Sequence, residues 1–361
     1  MKKNSIFLIL ICILIVLSLV ASGATFLLGN QIQSSLEPKG DVSISVTGDV
    51  MFGRKMPGVL SSNESPYRYV SNVTNNSDIL LVNFENPATN SGTAFKSDVP
   101  LKCSPTYVPL VKGANTTVCA MANNHAFDYG EVGMNDTINN LNQVGAIHIG
   151  AGLNVGNASA PAVIHSNGRT ITILNYMDSN NFAEYGQDVM PKATVNSAGY
   201  SAYNETLAAQ EIQAAKGNGS DYVIVYMHYG NEYSRSPNEA QKNISHQCID
   251  NGADIVIGSH THVTQGVEMY KGKPIFYNLG NFIFDQSNSA THRAYFLNIQ
   301  LVNDTAEVTM YPINLVGYLP QFMSPEDGTE LLEELNPQCS DVIITPQGTG
   351  KLVYNLTRKW Y

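Results

Sequence analysis

The chain is poor in charge, and poorest in positive charge. Only 14% of its 361 residues are charged, and 20 Lys and Arg stand against 30 Asp and Glu, a net charge of −10. No basic cluster interrupts that balance, which argues against a nucleic-acid partner and leaves a solvated acidic surface. Cysteine is scarce as well. Cys12 falls in an apolar segment, and Cys103, Cys119, Cys248 and Cys339 show no Cys-x-x-Cys spacing, so a thiolate metal site is not expected. One or two disulfides stay open for an exported chain, and the sequence does not pair them. No internal repeat is visible, and no Gly-x-Gly-x-x-Gly opens a helix, which removes the usual glycine cradle for phosphate.

The first forty residues are built differently from the rest. Lys2 and Lys3 precede Ile6 to Leu28, a run of 23 residues without charge or proline. A bilayer span takes about 20 apolar residues, whereas a secretory core needs only about 7–15. Residues 1–30 are therefore expected to be an uncleaved single-pass anchor in the cell membrane, with the lysines inside and the C-terminal domain outside the cytoplasm. Small residues at Ala21, Ser22, Gly23 and Ala24 keep a removed signal peptide as the alternative. Residues 31–40 read as a linker. Eleven Asn-x-Ser/Thr sequons, from Asn63 to Asn355, agree mildly with a glycosylated outer-surface protein.

Beyond the linker, chemistry gathers at the ends of apolar runs. Ile255-Val-Ile ends at Gly258 and delivers His260 and His262; if the segment stays extended, residues two apart face the same side. The run 43–48 delivers Asp49, 79–84 delivers Glu85, and 118–122 delivers Asn123, Asn124 and His125. The run 222–227 delivers His228, with Gly230 and Glu232 behind it. Open α/β sheets build their sites at the carboxyl ends of strands, and carboxylate, amide oxygen and imidazole together suit Zn, Mn or Fe.

The spacing predicts strand, helix or loop, strand, repeated from Asp41 to about Gly317, as one α/β domain. Helices are expected at Tyr67–Val73, Glu131–Val144, Asn204–Ala215 and Pro237–Asn251, the last with Pro237 in its first turn. Arg293–Val302 and Ala306–Asn314 alternate around Asn303-Asp304 and read as a hairpin. Residues 318–361 read as a peripheral extension carrying no chemistry.

Six blocks in order carry a family resemblance: Gly48-Asp49-Val-Met-Phe-Gly-Arg54, Asn83-Phe-Glu85, Ala122-Asn-Asn-His-Ala-Phe-Asp128-Tyr-Gly130, His228-Tyr-Gly-Asn-Glu232-Tyr233, Gly258-Ser-His-Thr-His-Val263 and Tyr277-Asn-Leu-Gly-Asn281-Phe282. They resemble the CapA family of capsule or poly-γ-glutamate synthesis proteins, which is in turn similar to calcineurin-like metallophosphoesterases. The resemblance covers residues 41 to about 315. It implies a four-layer α/β fold, two mixed β-sheets sandwiched between helices, and divalent metal ions, two in number, held by Asp49, Glu85, Asn124, His228, His260 and His262. Where the superfamily carries a histidine two residues after its first aspartate, this chain has Met51, a poor ligand for hard ions, so that one firmly held metal is the alternative.

In that frame His125 is the acid beside the leaving group, and Asp128 orients its ring. Helix capping ahead of Glu131 is the competing role for Asp128. Arg54, Asn123, Glu232 and Asn281 are candidate substrate contacts, with a structural ion pair the competing role for Arg54. The implied function is a membrane-anchored hydrolase of capsule or poly-γ-glutamate biosynthesis, facing outward and cutting a phosphoester or γ-glutamyl amide. The alternative is a non-catalytic assembly or export component that binds an anionic polymer. Expected partners are the membrane, a polymer such as poly-γ-glutamate and a polymer synthase complex.

Overall fold

In the computed structural model, residues 39–60, 64–95, 99–180, 190–335 and 341–356 are described. The anchor expected at residues 1–30 lies outside them, as does Cys339; among the described residues no helix is long and apolar enough to cross a membrane. The strands run in chain order as β1 (Val42–Val50), β2 (Ile79–Phe84), β3 (Thr116–Ala120) and β4 (Ile147–Ile149). They continue with β5 (Ala151–Gly152), β6 (Ala162–Ser166), β7 (Arg169–Met177), β8 (Gly199–Tyr200), β9 (Tyr222–His228) and β10 (Ile255–Ser259). The last are β11 (Thr264–Tyr270), β12 (Lys273–Leu279), β13 (Asn281–Ile283), β14 (Arg293–Val302), β15 (Thr305–Val316), β16 (Leu319–Phe322), β17 (Ile343–Ile344) and β18 (Gly350–Asn355).

Two large mixed sheets result among the described residues. One has ten strands in the order β17-β18-β15-β14-β1-β2-β3-β4, with β13 added to β1 and β16 to β15. The other has six, in the order β11-β12-β10-β9-β7-β6. Alternation along the strands sets the layers. Val42, Ile44 and Val46, with Ile79 and Leu81, share one core with Tyr222, Ile224 and Tyr226 of the opposite sheet. The intervening residues bury the other way: Leu80 and Val82 pack with Val108, Met134 and Leu141, while Val223, Val225 and Met227 pack with Ile212 and Ile244. Each sheet is therefore apolar on both faces, the condition for helices outside and a sheet-on-sheet core within. That is the four-layer arrangement that the family resemblance implies.

Three of the four expected helices form, two of them opened by side-chain caps. Glu205–Gly217 starts after Asn204, whose side chain accepts from Leu207 N. Glu239–Asp250 starts at a capping box of Asn238 and Gln241, so Pro237 precedes the helix instead of opening it. Gly130–Gln143 begins after Tyr129 with no side-chain cap, which leaves Asp128 outside the capping role. Only Ser71–Thr74 of the expected Tyr67–Val73 helix is α-helical. The hairpin forms as read, Val302 pairing with Thr305 across Asn303-Asp304, with Asn303 at φ 50°.

The segment after residue 317 is not peripheral. β16 and β18 both pair with β15, and Leu331, Leu332, Leu352 and Tyr354 enter the inter-sheet core. Asp41–Tyr361 accordingly form one compact unit.

Candidate metal centre

The inward faces of the two sheets are apolar until the carboxyl ends of the strands, and there the same positions turn polar. On β2 the inward series Ile79, Leu81 continues to Asn83 and then Glu85; on β9 Tyr222, Ile224 and Tyr226 continue to His228. β1 is out of phase, since Asp49 is odd where Val42, Ile44 and Val46 are even. A register shift between Val46 and Asp49 against β2 restores the phase. Tyr226 secures that irregularity by donating to Thr47 O at 2.8 Å, and burial pushes its phenol well above the usual range, keeping it a donor. Gly48 is required at the bend, because a Cβ there would lie 1.8 Å from Gly280 O.

Asp49, Glu85 and His228 are all fully buried, and one ligand atom from each lies within 4.8 Å of the others. His228 Nε2 is 2.9 Å from Asn124 Oδ1, and its Nδ1 is 3.1 Å from Ser259 Oγ. The His260 ring is centred 4.6 Å from that of His228 and 6.3 Å from that of His262. His262 Nδ1 reaches Asp49 Oδ2 at 3.2 Å and Asn281 Oδ1 at 2.9 Å. Thus all six residues expected to hold metal come together in one place.

The histidine pair reaches that place by a different path from the one expected. β10 stops at Ser259, and His260 and His262 have φ values of 99° and 60°, so the segment is not extended. Left-handed backbone at two non-glycine residues costs on the order of 1–3 kcal/mol each and persists where the surroundings impose it. Burial lowers the pKa of His262, but the hydrogen bond and charge of Asp49, aided by Glu232 and Asn281, outweigh it and leave the imidazole raised.

Two buried carboxylates in one small volume require compensating positive charge. Two carboxylates, an amide oxygen and imidazoles form a hard-to-borderline donor set, which fits a divalent ion. Met51 is not part of it. Its side chain is fully buried among Val50, Phe52 and Phe84, and its sulfur accepts from Gly53 N at 2.9 Å.

A cavity of about 530 Å³ opens beside these residues, with Asn124, His125 and His262 together with Arg54, Lys55, Glu232 and Asp285 in its lining. His125 Nδ1 lies 2.7 Å from Asp128 Oδ2, which also accepts from Leu101 N at 2.6 Å. That pairing engages Nδ1 of the ring. Arg54 donates from Nε to Asp285 Oδ1 at 2.7 Å and pairs with it again through Nη2, while Lys55 N donates to Asp285 Oδ2 at 2.9 Å. Asp285 was invisible in the sequence, which gives no sign that position 285 meets position 54. Asn123 and Asn281 are buried behind the cavity wall, bonded to Asn83 and His262, while Glu232 is exposed at its edge. His148, His165, His246 and His292 stand apart from the cluster; His246, for one, pairs with Glu268 at 2.8 Å.

Residues 43–286 match the family described as bacterial capsule synthesis protein PGA_cap. The chain belongs to that family. A PGA biosynthesis protein CapA of Bacillus subtilis (strain 168) is 33% identical over 280 residues, 76% of this chain and 72% of that protein. The capsule biosynthesis protein CapA of Bacillus anthracis is 30% identical over 373 residues, 99% of this chain and 88% of that protein. Among solved structures, a hypothetical protein from Thermus thermophilus aligns over 77% of this chain and 96% of its own, with 14% identity and a TM-score of 0.42. That similarity is too low to add to the argument. All six candidate ligands and the His125–Asp128 pair lie inside the span that matches the capsule synthesis family.

Proposed function

We propose that this protein acts in capsule or poly-γ-glutamate biosynthesis as a metal-dependent hydrolase, anchored in the membrane by residues 1–30 and facing outward. The observation that carries this reading is the placement of Asp49, Glu85 and His228, donor atoms within 4.8 Å of one another, next to the His125–Asp128 pair on the cavity wall. The names of the two CapA relatives support the biosynthetic setting. The substrate bond is a phosphoester or a γ-glutamyl amide.

Asp49, Glu85, His228 and Asn124 would hold an ion, and His260 and His262 would complete its surroundings or hold a second, weaker one; the donor set suits Mn, Zn or Fe. A divalent ion there supplies Lewis acidity toward a phosphoryl or carbonyl oxygen and toward water. His125 gives a proton from Nε2 to the leaving oxygen or nitrogen, and Asp128 holds the ring in the tautomer that makes this transfer possible. Arg54, kept in place by Asp285, offers its remaining N–H groups to an anionic substrate group.

The relatives' names also support a second reading, because they state a biosynthetic role and no reaction: an assembly or export component that binds an anionic polymer alongside a synthase complex. Metal analysis of the purified protein, followed by hydrolysis of a generic phosphodiester and a γ-glutamyl peptide with and without His125→Ala, separates the two. Bound metal with hydrolysis that disappears in the variant supports the enzyme. Metal-free protein that still supports polymer export supports the binding component.

A further inference from the structure

Behind the carboxylates stands a residue that neither touches the cavity nor belongs to the ligand set. Asn83 lies on the inward face of β2, 1% exposed. Its Nδ2 donates to Asp49 Oδ1 at 2.8 Å and to Glu85 Oε2 at 2.9 Å. The same nitrogen lies 3.4 Å from His228 Nδ1, and the two N–H groups of the carboxamide are taken up by the shorter contacts to the carboxylates. Its Oδ1 accepts from Asn123 Nδ2 at 3.0 Å, and that second amide also donates to Phe84 O at 3.0 Å. Asn123 Oδ1 in turn accepts from His125 N at 3.2 Å. Two carboxamides in series thus connect the carboxylates to the backbone of the candidate acid. Serine and threonine have one donor, and an ionised aspartate has none, so the identity of residue 83 is set by the bonds it must make.

We infer that Asn83 is the positioning residue of the metal centre. It donates to one oxygen of each carboxylate and ties their spacing to His125 through Asn123. It does so as a neutral donor, without adding charge to a buried site. This inference rests on the metal reading proposed above and deepens it.

The test is calorimetric titration of Mn²⁺ into the metal-free full chain, with the visible spectrum of the Co²⁺-loaded protein as a second readout of ligand geometry. Partners of metal ligands typically contribute about 10–100-fold to affinity, so Asn83→Leu is expected to weaken Mn²⁺ roughly tenfold or more and to change the Co²⁺ spectrum. Asn83→Ser, which keeps one donor, falls in between and decides the matter if the leucine variant does not fold. Asn83→Asp also weakens binding although it adds a negative charge. Tighter binding in Asn83→Asp overturns the inference, because charge and not position would then govern the site. Variants that melt earlier but keep the Mn²⁺ affinity and Co²⁺ spectrum of the wild type also overturn it, since the amide would then be only structural. A wild type that takes up neither ion overturns the metal reading and this inference together, whereas a wild type that binds beside indifferent variants overturns this inference alone.

Discussion

Behind the cavity wall lies a floor of buried donors, and that floor and the cavity's mouth are built on opposite terms. On the floor, Asp49, Glu85 and His228 are fully buried and held by amides and hydroxyls, with distances such as 2.8 Å from Asn83 Nδ2 to Asp49 and 3.1 Å from His228 Nδ1 to Ser259. At the mouth, Lys55 and Glu232 are exposed, and Arg54 is one-third exposed over a buried Asp285. Buried hydrogen-bonded networks fix their geometry, while solvated charges adapt. The floor therefore sets whether an ion binds and where, and the mouth sets what approaches it.

That contrast breaks first at His125, which stands between the two regions. General acid catalysis contributes about 10²–10⁴-fold, so His125→Ala is expected to lower kcat by that order while leaving Mn²⁺ affinity within about threefold. Steady-state kinetics and calorimetry on the same preparation check both halves. Asp128→Asn, which weakens the hold on the ring, gives the same pattern at smaller size.

The next effect is on stability. An ion that binds only the folded chain stabilises it by about 2.7 kcal/mol at a hundred times its dissociation constant, so chelation lowers the melting temperature of wild type and scarcely moves that of His228→Ala. Differential scanning calorimetry with and without a chelator measures this. Arg54→Ala comes next. It strips the buried Asp285 of its side-chain partner and is expected to cost about 1–3 kcal/mol, together with a higher KM. Glu232→Gln, exposed at the same mouth, is expected to stay within about 0.5 kcal/mol in urea unfolding and to change KM alone.

The smallest signal comes from the thiols. Cys103, Cys119 and Cys248 are buried and free. Burial pushes the thiols of Cys103 and Cys248 up to about 12 and that of Cys119 higher still, so all three are protonated at neutral pH. A thiolate-directed reagent is expected to leave these three unmodified in the native protein and to label them in denaturant, as mass spectrometry of labelled peptides would show. Modification of Cys248 in the native state would contradict the packing of the helix Glu239–Asp250 against its sheet.

What the sequence made legible is tied to periodicity. Strand-end donors were visible because apolar runs stop at Glu85 and His228, and the hairpin at Asn303-Asp304 because alternation resumes on both sides of a turn pair. Features that depend on partners distant in sequence were not. Nothing near residue 54 announces Asp285, 231 positions away. The bulge at Thr47-Gly48 depends on contacts with β2 and with Gly280, and the left-handed turns at His260 and His262 on a loop that no propensity favours. Proline spacing made residues 318–361 look peripheral, yet Leu352 and Tyr354 alternate inward on β18 and seal the core. Asn83 stood in a recognisable block, but its use as a double donor required Asp49, 34 residues earlier, to be placed beside it.

The account turns on whether the floor holds an ion. Elemental analysis of the full chain after equilibration with Mn²⁺ and removal of excess measures it directly. At least one equivalent in the wild type, lost in both Asp49→Ala and His228→Ala while His125→Ala retains it, is the predicted result. Equal metal content in all four proteins, or none in the wild type, would contradict it.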